Sequence, residues 1–218
     1  MTLARDPAWQ KDQDVQLQLA KGAFYAMYHY GEAQEFGPLE RWGERLVTLA
    51  QDPLWQTDGP IQLELAGGAA NAMADYGTAK DFGALERWGE RLLALAQDPA
   101  WQKDQDIQLA LAKGTVNAIA NYGEAAANAT TDYGKARHFG ALERWGERLL
   151  TLAQNSAWQK DQGIQLCLAR GAVNAMLHYG EAKDFGALER WGGRLLALAH
   201  DQRWQTDGPI QLCLAKGV

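Results

Sequence analysis

A chain of 218 residues with 47% hydrophobic content and 9 Trp carries enough apolar material for a sizeable core, which excludes a disordered polymer. Its 27 acidic against 21 basic side chains leave a net charge of −6 without a basic block, which argues against nucleic acid as a partner. No apolar run reaches the ~20 residues that span a bilayer, residues 1–30 lack the order of a secretory leader, and 2 Cys cannot build a disulfide framework, so no membrane partner and a cytoplasmic setting are expected.

Repetition organises the chain. The pattern W-Q-x-D-x-x-[IV]-Q-L-x-L-A-x-G starts at Trp9, Trp55, Trp101, Trp158 and Trp204. A second pattern, F-G-x-L-E-R-W-G-x-R-L, starts at Phe36, Phe82, Phe139 and Phe185. Successive Trp starts lie 46, 46, 57 and 46 residues apart, so the unit has 46 residues and the third copy carries 11 more. A fixed period of this size is the signature of a solenoid or array. The units run about 7–52, 53–98, 99–155, 156–201 and a partial 202–218, read as one helical-repeat domain over 1–218.

Each unit predicts two helices. In the second copy the first spans roughly Ile61 to Tyr76, with Leu65, Ala66, Ala69, Met73 and Tyr76 at three- and four-residue steps. Pro60 suits its first turn and Gly77 suits a left-handed cap. The second helix spans roughly Ala84 to Gln97, with Leu85, Trp88, Leu92 and Leu95 on one stripe, and Asp98-Pro99 ends it. No segment alternates as a strand does.

The Trp residues fall at two fixed positions in every unit, so they read as packing residues between successive helices and not as one aromatic binding site. Gly22, Gly68, Gly114 and Gly171 sit mid-helix, where Gly costs about 1 kcal/mol against Ala, so a neighbouring helix is expected to approach closely there. The insertion lies around Glu124–Gly134. Eleven residues are almost three helical turns and would add length without rotating the helix face. Asn128-Ala129-Thr130 fits a glycosylation triplet of the kind that arises often by chance.

The chain starts and stops inside a unit. Met1–Pro7 matches Val47–Pro53, and Cys213–Val218 stops where Cys167–Ala172 is still mid-helix. Either the chain is a fragment of a longer array, which is the expectation favoured here, or its open ends pair with other copies.

The paired-helix unit resembles tetratricopeptide-type repeats. The resemblance rests on Leu65-Ala66-Gly67-Gly68 in the first helix, Phe82 opening the second, the stripe through Leu85, Trp88 and Leu92, and the closing Asp98-Pro99. The family's unit is ~34 residues with Leu and Gly adjacent, whereas HEAT and armadillo units are ~40–47. The fold expected is therefore all-α: a right-handed α-solenoid of helix-turn-helix repeats, tetratricopeptide-like with lengthened helices, HEAT-like as the alternative. Either resemblance implies a scaffold that binds peptides or protein surfaces, not an enzyme.

The copies differ on one stripe of the first helix. Equivalent sets are Gln18/Glu64/Ala110/Cys167/Cys213, Lys21/Gly67/Lys113/Arg170/Lys216, Tyr25/Asn71/Asn117/Asn174 and His29/Asp75/Asn121/His178. These positions share one side of a helical wheel, opposite Ala20, Ala23, Met27 and Tyr30. The expected ligand face is Gln18, Lys21, Tyr25, His29, Glu64, Asn71, Asp75, Lys113, Asn117, Asn121, Arg170, Asn174 and His178, on the concave side of the solenoid. The alternative is a solvated face that drifts. Lys113 with Asn117, and Arg170 with Asn174, place a cation and an amide one turn apart, suited to carboxylates or peptide backbone. The pairing resembles the carboxylate clamp of some tetratricopeptide proteins, but in a different frame relative to the glycine, so no residue carries over.

Catalytic and metal patterns are missing from the sequence: no H-x-x-x-H, C-x-x-C, G-x-S-x-G or P-loop occurs. Cys167 and Cys213 are repeat equivalents, beyond easy disulfide reach on helices ~8–10 Å apart. Glu40/Glu86/Glu143/Glu189 beside Arg41/Arg87/Arg144/Arg190 recur identically and read as surface or inter-repeat ion pairs. The expectation is a protein or peptide partner, no cofactor, no metal and no catalysis. A self-assembling spacer, joining end to end through open terminal repeats, is the alternative.

Overall fold

The computed structural model describes residues 9–217, and the match of Met1–Pro7 to an earlier helix tail lies outside them. Among the described residues the fold is all-α: helices and turns with no strand. The helices are α1 (Gln13–Glu32), α2 (Phe36–Ala50), α3 (Gly59–Thr78), α4 (Phe82–Gln97), α5 (Gln105–Ala127), α6 (Asp132–Gln154), α7 (Gln162–Glu181), α8 (Phe185–His200) and α9 (Gly208–Gly217). Odd-numbered helices are the first of each unit and even-numbered ones the second. The chain divides into two compact units between Leu111 and Ala112.

Aspartates set where the helices begin. Asp12, Asp58 and Asp161 each cap a first helix, their carboxylates accepting the N–H of Val15, Ile61 and Ile164 at 3.1, 3.1 and 2.8 Å. Asp81 and Asp184 cap α4 and α8 in the same way. These bonds satisfy N–H groups that a helix start leaves orphaned. Pro60 sits in the first turn of α3, as expected. The other half of the pattern is a glutamine. Gln62 Nε2 donates to the Ala50 carbonyl at 2.7 Å, and Gln165 Nε2 to that of Ala153 at 2.8 Å. A buried amide thus ties α3, α5 and α7 to the end of the helix before each.

Gly77 is not a left-handed cap. No glycine among the described residues has positive φ; Gln34, Lys80 and Lys183 take that conformation instead, at 58°, 62° and 57°. The backbone closes as a Schellman turn around each, with Asp81 N–H reaching the Tyr76 carbonyl at 2.9 Å. At two of the glycines that follow a tyrosine the missing side chain makes room for a neighbour. At Gly31 the Asp75 carboxylate fills the place of a side chain, and at Gly123 the His178 ring does so.

Within the first unit, the hairpin α1–α2 receives the hairpin α3–α4 through a repeated joint. Trp88 is fully buried, and its ring lies where a side chain on Gly43 would be. Glu40 Oε2 accepts from Trp88 Nε1 at 3.1 Å and from the Tyr76 hydroxyl at 2.8 Å, while Tyr76 stacks on Phe36 at 4.9 Å. Arg91 reaches Glu44 at 2.5 Å and lies over the Trp88 ring. The second unit repeats the joint: Trp191 over Gly146, Glu143 accepting from Trp191 Nε1 at 3.2 Å and from Tyr179 at 2.8 Å, Tyr179 stacked on Phe139, and Arg194 paired with Glu147. Burial first, and the hydrogen bonds their hydroxyls donate to Glu40 and Glu143 second, raise the pKa of Tyr76 and Tyr179. Of the recurring Glu and Arg expected as ion pairs, Arg87 lies 3.7 Å from Glu40 and Arg190 3.3 Å from Glu143, so the pairs run between hairpins within each unit.

Of the mid-helix glycines, Gly68 and Gly171 meet a neighbouring helix as expected. A side chain at Gly68 would meet Met27 and Leu46, and one at Gly171 would meet Leu149 and Ile119. At Gly22, in the first hairpin, nothing lies within 4 Å. The insertion divides between two helices. Compared with the second copy, three residues lengthen α5, one lengthens the loop and seven extend the start of α6. Seven residues are close to two full turns, so the α6 stripe keeps its orientation. Thr131 caps the extension, accepting from Gly134 N–H at 3.1 Å.

Candidate binding faces

The variable stripe is at the surface in both units. In the first, Gln18, Tyr25 and His29 are exposed on α1, and Lys21 is half-buried; Glu64, Asn71 and Asp75 are half-buried on α3. In the second, Lys113 on α5 and Arg170 on α7 are exposed, while Asn117, Asn121, Asn174 and His178 are half-buried. Opposite them, Ala20, Ala23 and Met27 are in the core.

The two stripes differ in chemistry. On α1 and α3 the face is aromatic and acidic. Tyr25 is 59% exposed and edges against Phe24. Tyr28 donates to Glu32 at 2.9 Å, and His29 lies 3.5 Å from the same carboxylate. Glu64 has its pKa raised by burial, partly offset by Lys21. Asp75, lodged against Gly31, is pushed up to about 6, by burial first and by the charge of Glu32 second.

A carboxyl that titrates higher in the folded than in the unfolded chain gives a specific pH dependence. Below its unfolded value of about 4 it is protonated in both states. As pH rises toward 6 the unfolded state loses its proton first, so stability falls, and above about 6 the loss is constant. Asp75→Asn is therefore expected to stabilise the chain at pH 7 by about 1 kcal/mol, a value discounted for the screening of a half-exposed group, and to leave it unchanged near pH 3. Urea unfolding of both proteins across pH 3–8 checks this; equal curves would refute it.

On α5, α7 and α9 the face is cationic. Lys113, Arg170 and Lys216 form no ion pair among the described residues, whereas Arg91, Arg190 and Arg194 on the second helices all do. A groove of about 620 Å³ opens here, lined by Arg170, Asn174, Cys213 and Lys216 with Val116, Val173, Leu212 and Pro209 as apolar surface. The stripe thus brings Arg170 and Asn174 together in one cleft. Asn121 turns away from it, donating to the Asn117 carbonyl at 2.9 Å, and His178 is engaged with Glu181 at 3.2 Å. The apolar floor was missed by a reading of variable positions, because Val173 and Leu212 become neighbours only when α9 packs on α7.

Cys167 is buried, which pushes its thiol up to about 11 despite the opposing charges of Arg170 and Lys113. Among the described residues no three His, Cys, Asp or Glu side chains converge on a metal-sized site, and no helix is long and apolar enough to cross a membrane. Comparison of the chain with protein families, curated proteins and solved structures finds no match.

Proposed function

We propose that the protein is a non-enzymatic, tetratricopeptide-like binding scaffold that takes a peptide or protein surface along the variable face of its first helices, with no cofactor. The observation that carries this reading is the row of three cations on α5, α7 and α9 without carboxylate partners, in a chain whose net charge is −6. A solvated face in an acidic protein gains nothing from leaving every cation unpaired, whereas a ligand face keeps its charges free for the partner. The groove adds apolar area beside Arg170 and Asn174, so a bound segment would gain both burial and hydrogen bonds.

The variant Lys113→Glu, Arg170→Glu, Asn174→Ala tests the reading. Its side chains lie outside the joints, so circular dichroism and thermal unfolding are expected to match the parent chain. In a display screen of random peptides, the sequences selected by the parent should bind the variant at least tenfold more weakly, and their affinity for the parent should fall with added salt. Unchanged affinities would remove the stripe from the site.

A further inference from the structure

Within the second unit the cationic face repeats three side chains in register. Lys113, Val116 and Asn117 on α5 recur as Arg170, Val173 and Asn174 on α7, and Lys216 continues the cation row on α9. The helices stack closely. A side chain at Gly171 of α7 would meet Ile119 and Val116 of α5, and α9 packs on α7. Packed helices lie ~8–10 Å apart, so cations, valines and asparagines form parallel rows that cross the helices with that step. Along each helix the valine stands about 4.5 Å and the asparagine about 6 Å from the cation.

These rows are free to meet a ligand. None of the described residues lining the groove is acidic, whereas the equivalent face of the first unit carries Glu64 and Asp75. The side-chain amides of Asn117 and Asn174 make no hydrogen bond among the described residues; Asn121 reaches only the Asn117 backbone carbonyl. The same face of α1 is open at Gln18 and Tyr25 although all of α3 packs beside that helix, so exposure belongs to this side of the first helices.

The step between rows selects the backbone of the ligand. In a β-strand the residues of one face recur at about 6.6 Å and then about 13 Å, and neither matches. An α-helix returns to one face after seven residues, about 10.5 Å, but its carbonyls are bonded internally and leave the asparagines without a use. A polyproline II segment puts every third residue on one face, about 9.3 Å apart, and its backbone carbonyls are free. It alone meets all three rows together.

We infer, on the strength of the binding reading above, that this face takes an acidic polyproline II segment with a carboxylate at every third residue. The carboxylates pair with Lys113, Arg170 and Lys216, apolar side chains beside them lie on Val116 and Val173, and Asn117 and Asn174 donate to the ligand's carbonyls.

The test uses the full chain and two fluorescein-labelled peptides of identical composition, read by anisotropy. One is a run of four Glu-Pro-Val triplets; the other holds the same residues rearranged so that no two glutamates are three apart. The triplet peptide should bind saturably, roughly tenfold or more tightly than its isomer, with an affinity that falls as salt is added. Lys113→Gln and Arg170→Gln should each weaken it about fivefold or more. Lys160→Gln removes the same charge from an exposed position outside the rows and should bind as the parent does. Circular dichroism should show equal helicity for all three variants. Absence of saturable binding, equal affinity for the two isomers, or binding that survives both row substitutions would overturn the inference. The scaffold reading fails separately: if display-selected peptides lose affinity for the Lys113→Glu, Arg170→Glu, Asn174→Ala variant while the triplet peptide does not bind the parent, the face is a site for another backbone geometry, and only the present inference falls.

Discussion

Replacing Glu143 by Ala is expected to destabilise the chain by about 3 kcal/mol, although the carboxylate is not deeply buried. The loss comes from two donors at once. The Tyr179 hydroxyl and Trp191 Nε1 both end on Glu143 Oε1, at 2.8 and 3.2 Å, and both belong to residues sealed in the core. Each buried donor left without an acceptor costs roughly 1–3 kcal/mol. Arg190, 3.3 Å away but largely exposed, adds little. Glu143→Gln keeps an amide oxygen in the same place and is expected to retain most of the stability. Urea unfolding of the parent and both variants decides the matter; equal losses for Ala and Gln would show that the charge, and not the acceptor, holds the joint.

The second large effect is steric. Gly146→Ala places a methyl inside the ring of Trp191, which is fully buried and bonded to Glu143 and so has nowhere to retreat. Overpacking of this severity costs about 3 kcal/mol, offset by about 1 kcal/mol of improved helix propensity. A net loss of about 2 kcal/mol, or a fall in Tm of roughly 4–8 °C, is expected. The same change at Gly192 meets only a methionine methyl and should gain up to about 1 kcal/mol. Opposite signs at two equivalent positions would be invisible to any argument from helix propensity alone. Matching signs in the two melting curves would mean that the Trp191 ring moves aside freely.

Much of the fold is legible in the sequence because the 46-residue period and the apolar stripes are local signals. Leu65, Met73 and Tyr76 fix one helix face and Leu85, Trp88 and Leu92 the other, and the structure buries nearly all of them completely. The division of α1 and α3 into a packed side and a variable side follows from the same periodicity. What escaped was whatever depends on a residue one unit away. Glu40 and Tyr76 are 36 positions apart, and nothing in either helix alone announces their bond. The glycine after each tyrosine reads as a helix cap, since capping is its commonest local use; only the arrival of Asp75 or His178 shows that it makes room. In the candidate site, exposure at Lys113 and Arg170 was predictable from the wheel, but the groove's apolar floor was not, because it forms between helices.

In sequence, each full repeat carries both halves of the coupling seen within the two units: an acceptor and a notch (Glu40 and Gly43 in the first copy) and a paired donor and wedge (Tyr76 and Trp88 in the second). Whole units can therefore be gained or lost by duplication or deletion without stranding a polar group, and array length is free to evolve in steps of one period. The lengthened third copy obeys that constraint as well. Its added turns extend the tip of the hairpin, away from the Phe139–Leu149 stretch that does the coupling, so a protrusion was acquired without altering the standard fitting.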